Sequence, residues 1–254
     1  MKYLVVILFI VTFTSISTQA HQAPSLSVEQ ERVISNLFDQ LMGRQINNTV
    51  AVERSVSSLI KNYPEKINLI LAVAIHKFPH EYKQIICGTL RAEPALTSDV
   101  VEIILNSNIA DSSEIVSIAV TEEPAYANEI VSTAVTQQPD EIENIVRVAI
   151  TTEPVIAQSV VDKTMRSYPE RFLDIITVAI EALPSQVINI VNDAIKLFPD
   201  DAEAVVSTAV QSTKGERTRE IIENAIKSGL SKEQATAAAI AGGASTEDIA
   251  KIEH

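Results

Sequence analysis

The stretch EEPAYANEIVSTAVTQQPDEIENIVRVAITTEP, residues 122–154, holds Pro124, Pro139 and Pro154, each 15 residues after the last. The interval extends in both directions. Apart from Pro24, every proline in the chain falls in one series at 64, 79, 94, 124, 139, 154, 169, 184 and 199, and the single gap is filled in phase by Ile109. With the proline as position 1, position 7 is Ile or Val in all ten repeats, from Ile70 to Val205, and position 8 is Leu, Ile or Val in all ten, from Leu71 to Val206. Position 12 is aliphatic or Met throughout, and position 11 is Ala in seven repeats: 74, 119, 134, 149, 179, 194 and 209. A weaker eleventh copy starts at Thr49, with Val56, Leu59, Ile60 and Tyr63 in phase. A period held this closely marks a repeat architecture.

Each unit reads as one short helix. Positions 4, 7, 8, 11, 12 and 15 follow helical spacing and cover an arc of about 140° at 100° per residue. Proline suits the first helical turn, where its missing N–H has no partner to lose and its φ is already helical. It also biases the residue before it away from the α region, so each proline is expected to end one helix and start the next. A β-solenoid is the alternative that the Ile-Val pairs alone allow. Strict alternation and glycine-rich corners are missing, and the i, i+1, i+4, i+5 pattern is helical. A helix of about 12 residues is marginal by itself, so its apolar stripe needs neighbours. Linkers of two or three residues predict antiparallel hairpins. The expected fold is an all-α solenoid of about eleven 15-residue single-helix repeats, which resembles the HEAT-like class in architecture. Five stacked pairs span about 50 Å.

The chain divides by pattern into residues 1–20, 21–48, 49–213 and 214–254. The first segment has Lys2, the apolar run YLVVILFIVTF, and Thr18 and Ala20 at the −3 and −1 positions of a small-residue cleavage site. It reads as a secretory signal with mature protein from His21. An uncleaved anchor is the alternative, and no second apolar run of membrane length follows. Residues 21–48 read as an N-terminal helical cap, with Ser27 and Gln30 as a capping box ahead of the apolar face Val33, Ile34, Leu37, Phe38 and Leu41. Beyond residue 213 the clock slips by one residue at Ile221, Ile222, Ala225 and Ile226. A second capping box, Ser231 and Gln234, precedes an Ala-rich closing helix. Gly229 and the Gly242-Gly243 pair suit helix C-terminal positions.

Composition bounds the function. The 254 residues carry a net charge of −13, with 46% hydrophobic residues, 4% aromatic and no Trp. Removing residues 1–20 takes away Lys2 and leaves −14. Such a surface repels phosphate backbones and anionic membranes, so nucleic acid is an unsuitable partner and stable membrane insertion after signal cleavage is not expected. Cys87 is the only cysteine, which excludes an intrachain disulfide and leaves a free thiol or an interchain bridge. His76 and His80 are four apart but straddle Pro79, and Cys87 lies about 10 Å further along a helix, so solvated surface positions are the favoured reading over a metal site. Asn47-Asn48-Thr49 is a glycosylation sequon that matters only in a eukaryotic secretory pathway.

No catalytic fingerprint, phosphate loop or Cys-x-x-Cys occurs, so neither a catalytic residue nor a cofactor is assigned. Position 6 carries Asp99, Glu114, Glu129 and Asp174, opposite the core stripe. In alternating helices every second repeat shares a surface, so Asp99 and Glu129 are expected on one side, and Glu114 and Asp174 on the other. Together with Arg147 these form the candidate partner-binding surface. The bland reading is a solvated face. The expected function is an exported, non-catalytic scaffold, periplasmic or extracellular in a bacterium, that binds a protein or peptide, basic rather than acidic. The competing readings are a structural component of an envelope or extracellular matrix and an enzyme whose site carries no known motif.

Overall fold

The computed structural model describes residues 28–43, 48–245 and 249. The signal-peptide expectation and the Ser27 half of the first capping box lie outside the described residues, as does Asn47 of the sequon. The described residues form fourteen α-helices and no strand. They are α1 (Val28–Met42), α2 (Asn48–Asn62), α3 (Ile67–Lys77), α4 (Tyr82–Ala92), α5 (Thr97–Asn106), α6 (Ser112–Glu122) and α7 (Ala127–Gln137), followed by α8 (Ile142–Thr152), α9 (Ala157–Ser167), α10 (Phe172–Ala182), α11 (Val187–Leu197), α12 (Ala202–Ser212), α13 (Thr218–Lys227) and α14 (Lys232–Ala241).

The prolines act one step earlier than an α-helical first turn. Each of the nine prolines from 64 to 199 opens a three-residue 3-10 turn, such as Pro139–Glu141, and the α-helix follows directly. The residue before the proline joins the two. At the α7–α8 junction, Gln138 N–H donates to the Ala134 carbonyl at 2.9 Å and ends α7, while the Gln138 carbonyl accepts from Glu141 N–H at 3.1 Å and closes the 3-10 turn. Gln138 itself sits at φ −136°, ψ 71°, outside the α region as the following proline requires. The same pair of bonds recurs at Phe78, Glu93, Glu123, Glu153, Tyr168, Leu183 and Phe198. The proline nitrogen, which has no hydrogen to donate, stands where none is needed.

The missing proline at 109 has a structural counterpart. α5 is one residue shorter than its neighbours, Asn108 takes φ 52°, and α6 starts without a 3-10 turn. Asn tolerates this left-handed backbone better than a β-branched residue does. The one-residue slip near 214 is absorbed in the same way, by Lys214 and Gly215 at φ 52° and 80°. The Ser231–Gln234 capping box is present with both reciprocal hydrogen bonds.

Helices pack against their immediate neighbours and against those two along, which divides them into two layers. Odd-numbered helices stack on odd and even on even. Between Pro169–Ala182 and Pro184–Leu197 the chain turns through 116°, so this hairpin is open. Ile/Val at positions 7 and 8 and the position-11 alanines are buried along the whole stack. The alanines let backbones approach while the branched side chains fill the space between them. Cys87, which the sequence reads as a solvated surface position, is half-buried at position 9, as are Ser117, Ser132, Arg147, Thr177 and Ser207 in other repeats. The neighbour two helices along covers that flank.

Candidate binding surface

The five candidate residues do not converge on one spot. Asp99 on α5 and Glu129 on α7 lie in the odd layer, whereas Glu114 on α6, Arg147 on α8 and Asp174 on α10 lie in the even layer. The division follows from repeat parity, as the sequence implies.

Four of the five are engaged with other side chains. Glu114 accepts from Lys83 of α4 at 2.7 Å and from the Tyr82 hydroxyl. The Lys83 bond comes first among the causes that hold the Glu114 carboxyl below its ordinary range. The same contact raises the Lys83 ammonium. Glu129 faces Lys163 of α9 at 3.6 Å, and Arg147 reaches Glu181 of α10 at 3.1 Å. Asp174 accepts from Arg171 at 2.7 Å, and Arg171 also contacts Glu143 of α8 at 3.0 Å. Asp99 alone has no ion pair among the described residues.

These contacts belong to a ladder that ties many of the helices to the one two along. In the even layer, Arg91 of α4 holds Glu53 of α2 at 2.6 Å and grips both oxygens of Glu122 on α6 at 2.6 and 2.8 Å. Ser117 and Thr152 link α6 to α8. In the odd layer, Lys77 joins Asp39 and Ser35 of α1, Asn128 donates to Ser159, and Gln158 donates to Asp193. Exposed pairs of this kind contribute about 0–1 kcal/mol each, so their role is register more than stability. Sequence reasoning treated these charges singly. The available signal was spacing, since the tied residues lie 28–42 apart, two repeats with an offset that varies from pair to pair.

Cys87 lies half-buried against this ladder. Burial, and then the nearby Glu122 charge, push its thiol up to about 12. Its sulfur is free within the chain. His76 sits in α3 and His80 in the 3-10 turn before α4, and no group of three His, Cys, Asp or Glu side chains gathers as metal ligands among the described residues. No described helix is by itself long and apolar enough to cross a membrane.

Charge is divided unequally between the layers. The six even-layer repeats, 49–63, 79–93, 109–123, 139–153, 169–183 and 199–213, contain 17 acidic and 6 basic residues. The five odd-layer repeats between 64 and 198 contain 6 acidic and 5 basic. Some of these acids offset helix dipoles at the 3-10 turns, among them Asp140, Glu170, Asp200 and Asp201. The dipole does not explain why four of the five odd-layer turns read Ala95-Leu96, Ala125-Tyr126, Val155-Ile156 and Ser185-Gln186, with Glu65-Lys66 as the charged exception. Glu93, Glu123 and Glu153 stand in linkers shared by both layers. Without them the even layer still holds 14 acids against 6 bases.

In comparisons with known proteins, no family model, no curated protein and no solved structure matches the chain. The reading of function therefore rests on the residues themselves.

Proposed function

We propose that the chain is an exported, non-catalytic scaffold that binds a basic protein or peptide through the even layer of its solenoid. The observation that carries the reading is the unequal division of charge, with 17 acids and 6 bases in one layer against 6 and 5 in the other. Stacked repeats make long surfaces without needing a cavity, and a surface of one sign attracts an oppositely charged partner at long range. The acids best placed to meet a partner are those outside the ladder. Asp140, Glu170, Asp200 and Asp201 are exposed and have no ion pair among the described residues.

The test is a pulldown with the mature protein from its native exported fraction, at low and raised salt, beside a variant carrying Asp140→Asn, Glu170→Gln, Asp200→Asn and Asp201→Asn. The reading expects a basic protein that is retained at low salt, released as salt rises, and lost from the variant. Recovery of an acidic or neutral partner, indifferent to salt and to the four substitutions, would sink it. Recovery of further copies of this chain alone would favour a structural component instead.

A further inference from the structure

The repeat ladder breaks at one helix. Position 12 is buried in nine of ten repeats, and the exception is Ile75 on α3, which is half-buried. α3 buries Leu69 instead, at position 6, where the other repeats place polar residues or alanine. On a 100° wheel this turns the buried arc of α3 by roughly 60°. The flank bearing Asn68, Ala72 and Ile75 consequently faces an open groove of about 650 Å³, whose far wall on α5 carries Asp99, Glu102 and Ile103.

Three properties of the groove suggest its occupant. Its floor is aliphatic, made by Ala72, Ile75 and Ile103. Its wall holds two carboxylates, Asp99 and Glu102, that have no ion pair among the described residues, and no Lys or Arg lines it. The His76 imidazole is the one basic group on its walls. Like the α5–α7 and α10–α12 seams it is untied, since no side-chain hydrogen bond or ion pair joins α3 to α5 among the described residues. Ala72 keeps the ridge of α3 low, at a position where the other odd-layer repeats carry Glu102, Ser132, Asp162 and Asn192. A second depression of about 540 Å³ between α1 and α3 shares Ala72 and His76, so the two meet over those residues. The cations at its edge are engaged, Arg32 with Glu29 and Lys77 with Asp39. At about 10 Å between stacked helices, a trough across α1, α3 and α5 spans about 20 Å, or about six residues of extended chain.

We propose that this trough receives an extended basic peptide, with the stem of one Arg or Lys lying on Ala72, Ile75 and Ile103 and its cationic head between Asp99 and Glu102. Long basic side chains combine an apolar stem with a charged tip, which matches an aliphatic floor beside unpaired carboxylates. The proposal rests on the reading of a basic partner; because α1, α3 and α5 belong to the odd layer, it adds, beside the even-layer acids, a second contact where one of the partner's side chains is held.

The experiment is fluorescence anisotropy with a labelled Gly-Arg-Gly-Arg-Gly-Arg peptide and its citrulline counterpart, which keeps the shape and removes the charge. Ala72→Leu fills the trough without altering charge, at an exposed site that tolerates the larger side chain. Asp99→Asn with Glu102→Gln removes the two carboxylates. Glu216→Gln with Glu233→Gln, both exposed and outside the repeats assigned to binding, makes the same change of net charge elsewhere. Helical melting curves confirm that each variant is folded. The expected result is binding of the arginine peptide and not of the citrulline one. Ala72→Leu and the Asp99/Glu102 pair should each weaken it by about tenfold or more, and the Glu216/Glu233 pair by less than about threefold. Wild-type affinity in Ala72→Leu, or equal losses in the two charge pairs, overturns the groove and leaves the basic-partner reading standing. A wild-type protein that ignores the arginine peptide, yet retains a basic protein in the pulldown, likewise overturns the groove alone. Failure of both experiments removes both.

Discussion

Gly88→Ala separates two physical effects that predict opposite signs. Gly88 lies inside α4, and a Cβ built there falls 2.5 Å from the Glu53 carbonyl oxygen of α2 and 3.2 Å from the Glu53 carbonyl carbon and Cα. Ordinary contact begins near 3.4 Å, so α2 and α4 must part by about 0.9 Å. The obstacle is backbone, which has no rotamer to move. Helix propensity alone favours Ala over Gly by about 1 kcal/mol. Overpacking costs about 1–3 kcal/mol, and a backbone obstacle puts this site at the upper end. The net is a loss of about 1–2 kcal/mol, with added strain on the Arg91–Glu53 bond one turn away. A stack of nearest-neighbour contacts confines the damage, so α1 and α2 should loosen while α8 to α12 do not. Native-state hydrogen exchange reads this directly. Amides of α2 should exchange about 5–30 times faster, with those of α10 unchanged. If the substitution instead stabilises the protein by about 1 kcal/mol, propensity rules the site and the close approach of α2 to α4 is wrong.

Two further outcomes follow from the same packing. Ala134→Leu should cost about 1–3 kcal/mol in a denaturant melt, because Ala134 is fully buried, whereas Ser132→Leu at a half-buried seam should cost less; equal or reversed losses would mean the helix faces are misassigned. The Cys87 thiol, raised from an ordinary 9.0 to about 12, should react with a disulfide reagent at pH 8 about 1000-fold more slowly in the folded protein than in urea, with a rate that keeps climbing above pH 9. A folded-state rate that levels off near pH 9 would show a solvated thiol.

Proline spacing and the Ile/Val ladder make the helices, their boundaries and their parity legible in the sequence, because a buried stripe repeats whatever its neighbours are. The 3-10 turn is less legible. Proline at the first helical position fits both helix types, and the choice rests on the preceding carbonyl, such as that of Gln138, which accepts three residues on. Ser132 reads as solvated on a single helix and is half-buried in the stack, since the covering helix comes from two repeats away. The candidate surface is partly legible for the same reason. Glu114 and Glu129 stand out as charges opposite the core, but Lys83 and Lys163, which hold them, are 31 and 34 residues distant. The α3–α5 groove left a trace, a leucine at position 69 where the other repeats are polar or carry alanine. Its meaning depends on how far one helix rotates against its neighbours, which no single repeat encodes.

The central claim is that alternate repeats form two distinct layers, so that the unit of the fold is a pair. Deleting residues 139–168 removes one even and one odd repeat and leaves every remaining helix beside its own kind. Deleting residues 139–153 removes only α8 and places α9, an odd-layer helix, against α6. The direct measurement is the thermal unfolding of both deletions by circular dichroism beside the full chain. The account predicts that the 30-residue deletion melts cooperatively near the parent, with a loss spread over one missing pair, while the 15-residue deletion melts markedly lower or in two steps. If the 15-residue deletion matches the 30-residue one, odd and even repeats are interchangeable and the layered account fails.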